Sequence, residues 1–84
     1  MTLREKALAP PAHELRTLRE AAGLTKPAMA EAMSVALGVV YHWEDGRAWP
    51  TIDKLPRMAE LLGVSLDDLV ASLILTRRRG QTGG

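Results

Sequence analysis

Helix-ending and helix-starting residues recur along this chain at short intervals, and that rhythm restricts its fold more than any other feature. Gly23, Gly46 and Gly63 each follow a stretch with apolar residues at three- and four-residue spacing, while Thr25, Thr51 and Ser65 stand ready to cap the stretch that comes next. Hydroxyl residues favour helix N-caps, and glycine favours the position just past a helix end. The chain is therefore expected to form about five short helices joined by tight turns. No segment alternates apolar and polar residues long enough to read as a strand.

The helices divide as follows. Residues 1–10 form an arm or single turn, with Thr2 and Glu5 as a capping box stopped by Pro10 and Pro11. A first helix is expected from Pro11 or Ala12 to Gly23, with Glu14 in its first turn and Leu15, Leu18 and Ala22 inward. Thr25 caps a second, in which Pro27 is tolerated near the start and Met29, Ala30 and Met33 make the apolar stripe. A third, Leu37 to Glu44, turns Val40 and Trp43 inward. Thr51 caps a fourth that carries Ile52, Leu55, Met58, Ala59 and Leu62 on one side, with Pro56 expected to bend or loosen its first turn. Ser65 and Asp68 form a second capping box over a fifth helix from Leu66 to about Thr76, and residues 77–84 are expected to be a frayed basic and glycine tail. The folded unit is thus expected over residues 11–76.

Composition supports an all-α reading. With 84 residues there is room for one core, and with 46% apolar and 25% charged residues the balance is globular. The chain has no Phe, one Tyr and two Trp, so Leu, Ala, Val and Met must fill the core, a choice that favours helix. Cysteine is absent and the histidines are two, His13 and His42, which leaves neither a disulfide framework nor a thiolate zinc site; no metal or other cofactor is expected. The N-terminal residues lack the apolar run of a secretory signal, and the longest strongly apolar run, Leu69 to Leu75, is far shorter than the ~20 residues of a membrane span. A cytoplasmic protein without membrane contact is expected. No nucleophile stands with a base, and no glycine-rich phosphate loop or isolated carboxylate pair is present, so the chain does not read as an enzyme.

Four stretches in register, LRTLREAAGLT, MAEAM, VVYHWEDGRAWPT and LPRMAELLGVSLDDLV, resemble the Xre-type helix-turn-helix domains of phage Cro and CI repressors and their bacterial relatives. The likeness runs from about Leu15 to Leu69. It implies a compact five-helix, lambda-repressor-like bundle in which the small Ala30 permits two helices to cross closely and Val40 with Trp43 anchors the second of them. It also implies an ion pair between Arg19 and Glu44, which match positions the family often fills with a basic and an acidic residue.

The resemblance further implies a dimeric regulator of transcription, repressor-like, encoded by a bacterium or phage, with its third helix in the major groove of double-stranded DNA. Leu37, Gly38, Tyr41 and His42 are then the base-contact candidates. Thr25, Lys26, Arg47, Trp49 and Lys54 are the phosphate-contact candidates. The base-reading face departs from the family, because Ala36, Leu37, Gly38 and Val39 stand where relatives commonly carry polar side chains that read the donor and acceptor code. Gly38 inside a helix costs about 1 kcal/mol relative to alanine and suggests that the backbone there closely approaches another group. Ser34 stands where the family's turn usually has a left-handed glycine, so a reshaped turn is expected. The alternative function is a protein-interaction module, antitoxin or adaptor-like, that reuses the scaffold on a protein partner.

The fifth helix is apolar on more than one face, and Val70, Leu73, Ile74 and Leu75 are the candidates for a homodimer contact. The net charge of +1, from eleven basic and ten acidic residues, is low for a nucleic-acid binder. The charges are nevertheless expected to be polarised, with Lys26, Arg47 and Lys54 on one side. Arg77 to Arg79 can add general attraction for phosphate.

Overall fold

The computed structural model describes residues 13–82. The expected arm at 1–10 lies outside the described residues, as do Pro11 and Ala12. Five α-helices follow one another: α1 Leu15–Ala21, α2 Lys26–Met33, α3 Leu37–Glu44, α4 Leu55–Leu62 and α5 Leu66–Thr82. A single 3-10 turn, Ile52–Lys54, precedes α4, and no strand occurs among the described residues.

Four of these helices end in the same way, and the sequence rhythm explains it. In each, the amide of the residue after a left-handed position reaches back five residues: Leu24 to the Arg19 carbonyl, Val35 to Ala30, Arg47 to His42 and Val64 to Ala59, at 2.9 to 3.1 Å. This arrangement satisfies carbonyls that the helix leaves open, and it needs a residue at positive φ. Three of the four use Gly, and the end of α2 uses Ser34 at φ 57° and ψ 44°. The turn between α2 and α3 is therefore not reshaped as expected. Ser34 takes the left-handed conformation itself, at a cost of about 1–2 kcal/mol for an L-residue.

The core is a single cluster. Leu15, Met29, Ala30, Met33, Val40, Trp43, Met58, Ala59, Leu62, Leu69 and Leu73 are buried, and Leu18, Leu24, Val35, Leu55 and Val64 pack against them. The α2 and α3 helices pack on each other, α4 packs on α2 and α5, and α5 reaches back to α1 and α3. Buried Ala30, as the resemblance implied, brings no bulk to the α2 side of this packing.

Several boundaries differ from the sequence reading. Helix α1 starts at Leu15, because residues 13 and 14 are not helical and Glu14 is its N-cap. The Glu14 side chain makes no cap; instead the Leu15 amide donates to Thr76 Oγ1 at 2.9 Å, a partner 61 residues away. Ala22, expected inward, is exposed just past the last turn of α1, and Arg19 is buried on that face. Ile52, expected in the core, is 84% exposed. It belongs to the 3-10 turn, whose different periodicity takes it off the α4 stripe. The 3-10 turn is also how the chain accommodates Pro56. Helix α4 begins at Leu55, so Pro56 falls in its first turn, where a missing N–H costs no intrahelical bond.

The largest difference is at the C-terminus. Helix α5 passes the expected end near Thr76 and continues to Thr82, so the expected frayed tail is helical up to that residue. Its last turns have tertiary partners that local sequence does not reveal: Arg79 with Glu14, and Arg77 against Trp49. The Ser65 cap is present, with Ser65 Oγ accepting from the Asp68 amide at 3.0 Å. Leu73 is 5% exposed and belongs to the core, which removes it from the surface candidates of this helix.

Candidate nucleic-acid interface

Helix α3 has two faces because its apolar anchors are three residues apart. Val40 is fully buried and Trp43 is 3% exposed, and between them they hold the helix to the core. The other face is open: Leu37 is 40% exposed, Tyr41 is 43% exposed, and Gly38 and His42 are exposed. A Cβ placed on Gly38 would meet no atom within 4 Å, so the chain itself does not require glycine there.

The end of α3 is fixed from α1. Arg19 Nε donates to Glu44 Oε2 at 2.6 Å, Nη2 donates to Oε1 at 3.3 Å, and Nη1 donates to the Leu24 carbonyl at 2.8 Å. The two side chains are only 8% and 4% exposed. This two-pronged contact suits the planar guanidinium, which donates a third bond to Leu24, and together they tie the last residue of α3 to α1 and to the turn before α2.

The other candidates collect in two groups on either side of consecutive α3 residues. In the first, Thr25 Oγ1 accepts from the Ala28 amide at 3.1 Å and so caps α2. The next residue, Lys26, holds its ammonium 4.1 Å from the centre of the Tyr41 ring. That cation–π contact joins the start of α2 to the open face of α3. In the second group, His42, Trp49 and Lys54 line a cleft of about 200 Å³ together with Val39, Trp43, Ala48, Pro50 and Thr51. The turn that forms this cleft is built on one carbonyl, that of His42, which accepts from the amides of Arg47 and Ala48 at 2.9 and 3.3 Å. Arg47 is exposed on that turn.

Two residues that the sequence reading gave no specific role belong to this neighbourhood. The Arg77 guanidinium lies 5.2 Å from the centre of the Trp49 ring, a contact no local pattern signals, because α5 supplies one partner and the turn after α3 the other. Asp53, beside Lys54, has its carboxyl held below the usual range, first by the Thr51 hydroxyl, then by its own backbone amide, with a smaller contribution from the Lys54 charge.

On α5, Leu66, Val70 and Ile74 are 47%, 40% and 39% exposed. Their four-residue spacing puts them on one side of the helix. Leu75 is half-buried. Among the described residues no helix is long and apolar enough to cross a membrane, and no three His, Asp or Glu side chains gather where a metal ion could be held.

A family model described as a helix-turn-helix domain matches residues 12–73. No curated protein and no solved structure matches the chain. The matched span includes α1 to α4 and the first turns of α5, so it takes in both helices of the turn at Ser34 and nearly all the side chains described above. On this evidence the chain belongs to the helix-turn-helix domain family, consistent with its Xre-type resemblance and supportive of DNA binding.

Proposed function

We propose that the protein is a sequence-specific, repressor-like regulator of transcription that binds double-stranded DNA as a homodimer, with α3 in the major groove, in the cytoplasm of a bacterium or in a phage-infected cell. The observation that carries this reading is the open face of α3, with two cations beside consecutive residues of that helix. Lys26 lies on Tyr41, and Lys54 lines one cleft with His42 and Trp49. Phosphate contacts through Thr25, Lys26, Arg47, Trp49 and Lys54 would set the register, and Leu37, Gly38, Tyr41 and His42 would face the bases. Gly38 fits here: its missing side chain serves no neighbour in the chain, and it leaves room for the approach of a sugar-phosphate backbone or a base edge.

The homodimer is proposed through α5, by Val70 and Ile74 with Leu75 at the margin, and Leu66 extends the stripe. A two-fold contact of this kind would set two α3 helices about 34 Å apart, one turn of DNA. One subunit offers few phosphate contacts, and the dimer doubles them.

Selection from a random duplex library at low salt, followed by salt titration of the winners, tests the reading. The expected result is an enriched palindrome whose affinity falls with salt at a slope of about 0.9 per phosphate contact. Failure to retain any duplex would refute it. Val70→Asp should give a monomer in gel filtration with light scattering, and a monomeric unmodified chain at high micromolar concentration would end the dimer proposal.

The exposed Leu37 and Tyr41 favour one second reading, an antitoxin-like or adaptor-like module that uses α3 on a protein. Such a module would show no salt-dependent duplex binding.

A further inference from the structure

Two glycines meet where the last turns of α5 cross the turn after α3. A Cβ on Gly46 would stand 2.8 Å from the Thr76 carbonyl oxygen and 3.1 Å from the Arg77 Cα. A Cβ on Gly80 would overlap the Asp45 carbonyl oxygen and stand 3.2 Å from the Gly46 Cα. Every obstacle is backbone, so no side chain can swing aside to make room. Gly80 lies within a helix, where glycine is less favourable than alanine, and unlike Gly38 it has a neighbour that requires it.

The same segment is held at several further points. Thr76 Oγ1 accepts from the Leu15 amide and donates to the Ser72 carbonyl, both at 2.9 Å, and Arg79 pairs with Glu14. Arg77 lies over Trp49. The turn after α3 is thus gripped from both sides: α1 holds Glu44 through Arg19, and α5 packs its backbone against Asp45 and Gly46. Arg47, Ala48 and Trp49 follow immediately.

We infer that residues 76–80 of α5 are a strap that positions the turn bearing Arg47 and Trp49 for its phosphate contact, with Gly46, Gly80 and Arg77 as positioning residues. The inference rests on the DNA-binding reading above. It extends the functional unit beyond residue 73, where the family match ends. It also makes α5 a rigid link between the stripe proposed for the dimer and the turn proposed for phosphate, so that pairing of two subunits would act on the DNA side through one helix.

Gly80→Ala tests this role at its closest contact: alanine favours the helix itself, while its methyl group has no room against Asp45 and Gly46, and the melting temperature is measured beside the binding so that a loss of fold is seen as such. The full-length variant is compared with the unmodified chain on the duplex chosen by selection, with salt titration and with ¹H–¹⁵N NMR of the Trp49 indole and Arg47 amide. The expected result is shifted Trp49 and Arg47 resonances, affinity lowered about tenfold, and a salt slope smaller by about 1, the mark of one lost phosphate contact. Arg77→Gln, which leaves the glycine crossing intact, should also move the Trp49 resonance and weaken binding, and Arg77→Lys should restore part of both. Unmoved resonances, or unchanged affinity and slope in Gly80→Ala, would overturn the inference. Should Gly80→Ala fail to fold, the Arg77 pair decides on the same readouts. If the unmodified chain retains no duplex, the DNA reading fails, and the resonances alone still decide whether the strap positions the turn.

Discussion

Removing Arg19 should unfold much of the domain, and the structure supplies the magnitude. In Arg19→Met the Glu44 carboxylate, 4% exposed, loses both guanidinium contacts, and the Leu24 carbonyl loses its donor. Breaking a buried pair from one side costs about 3–5 kcal/mol, because the remaining charge stays desolvated. A domain of this size has a total stability near the lower end of about 5–15 kcal/mol, and each kcal/mol is worth about 4–8 °C in melting temperature. The expected fall is therefore on the order of 20 °C, measured by circular dichroism during heating. Two controls isolate the cause. Arg16→Met removes the pair with Glu20, whose partners are 69% and 55% exposed, and should change stability by less than about 1 kcal/mol. The double variant Arg19→Met with Glu44→Leu removes both charges and should recover most of the loss. An unchanged melting temperature in Arg19→Met would refute the reasoning, and so would a double variant no more stable than the single one.

Three further outcomes are expected. Thr76→Val keeps the shape of the side chain but leaves the Leu15 amide without its acceptor, so stability in urea should fall by about 1–3 kcal/mol, and an unchanged midpoint would deny the cap. Ser34→Gly relieves the left-handed strain at φ 57° and should raise the melting temperature, with a gain smaller than the strain of about 1–2 kcal/mol because the glycine chain has more freedom when unfolded; a lower melting temperature would mean that the serine hydroxyl matters more than the backbone. Thr51→Val removes the hydroxyl that does most to keep the Asp53 carboxyl below its ordinary range, and NMR titration should show that carboxyl titrating at higher pH. Since its folded value is the lowered one, the Asp53 contribution to stability is present above the ordinary carboxylate range and is lost as pH falls through the lowered value. The variant should show less of that acid-side loss, and an Asp53 titration that does not move would refute the assignment.

The site was legible to different depths. Val40 and Trp43 could be placed inward and Leu37, Tyr41 and His42 outward from spacing within one helix, because a period near 3.6 fixes which residues share a side once the helix is known. The pairing of Arg19 with Glu44 came from the family likeness, since nothing local joins residues 25 apart. Arg77 over Trp49 had no such guide. The net charge of +1 carries no information on where the charges lie: the buried Arg19–Glu44 pair cancels within it, and the total is the same with or without that pair.

What the sequence determined by itself is the series of helices and the glycine turns that end α1, α3 and α4. Caps at Thr25 and Ser65 and the turns at Gly23, Gly46 and Gly63 act within a few residues, so their hydrogen bonds are formed by neighbours in the chain. Tertiary structure decided where α1 begins, how far α5 runs and which apolar residues of α5 remain outside. The start of α1 depends on a hydroxyl from the far end of the chain, and the last turns of α5 on a turn and a carboxylate contributed by other helices. Leu73 and Ile74 are both large, apolar and adjacent, and only the packing of α5 across α1, α3 and α4 puts the first in the core and leaves the second at the surface. Local pattern sets what a segment prefers; contacts between distant segments set where that preference stops, because their free energy exists only once the chain has folded.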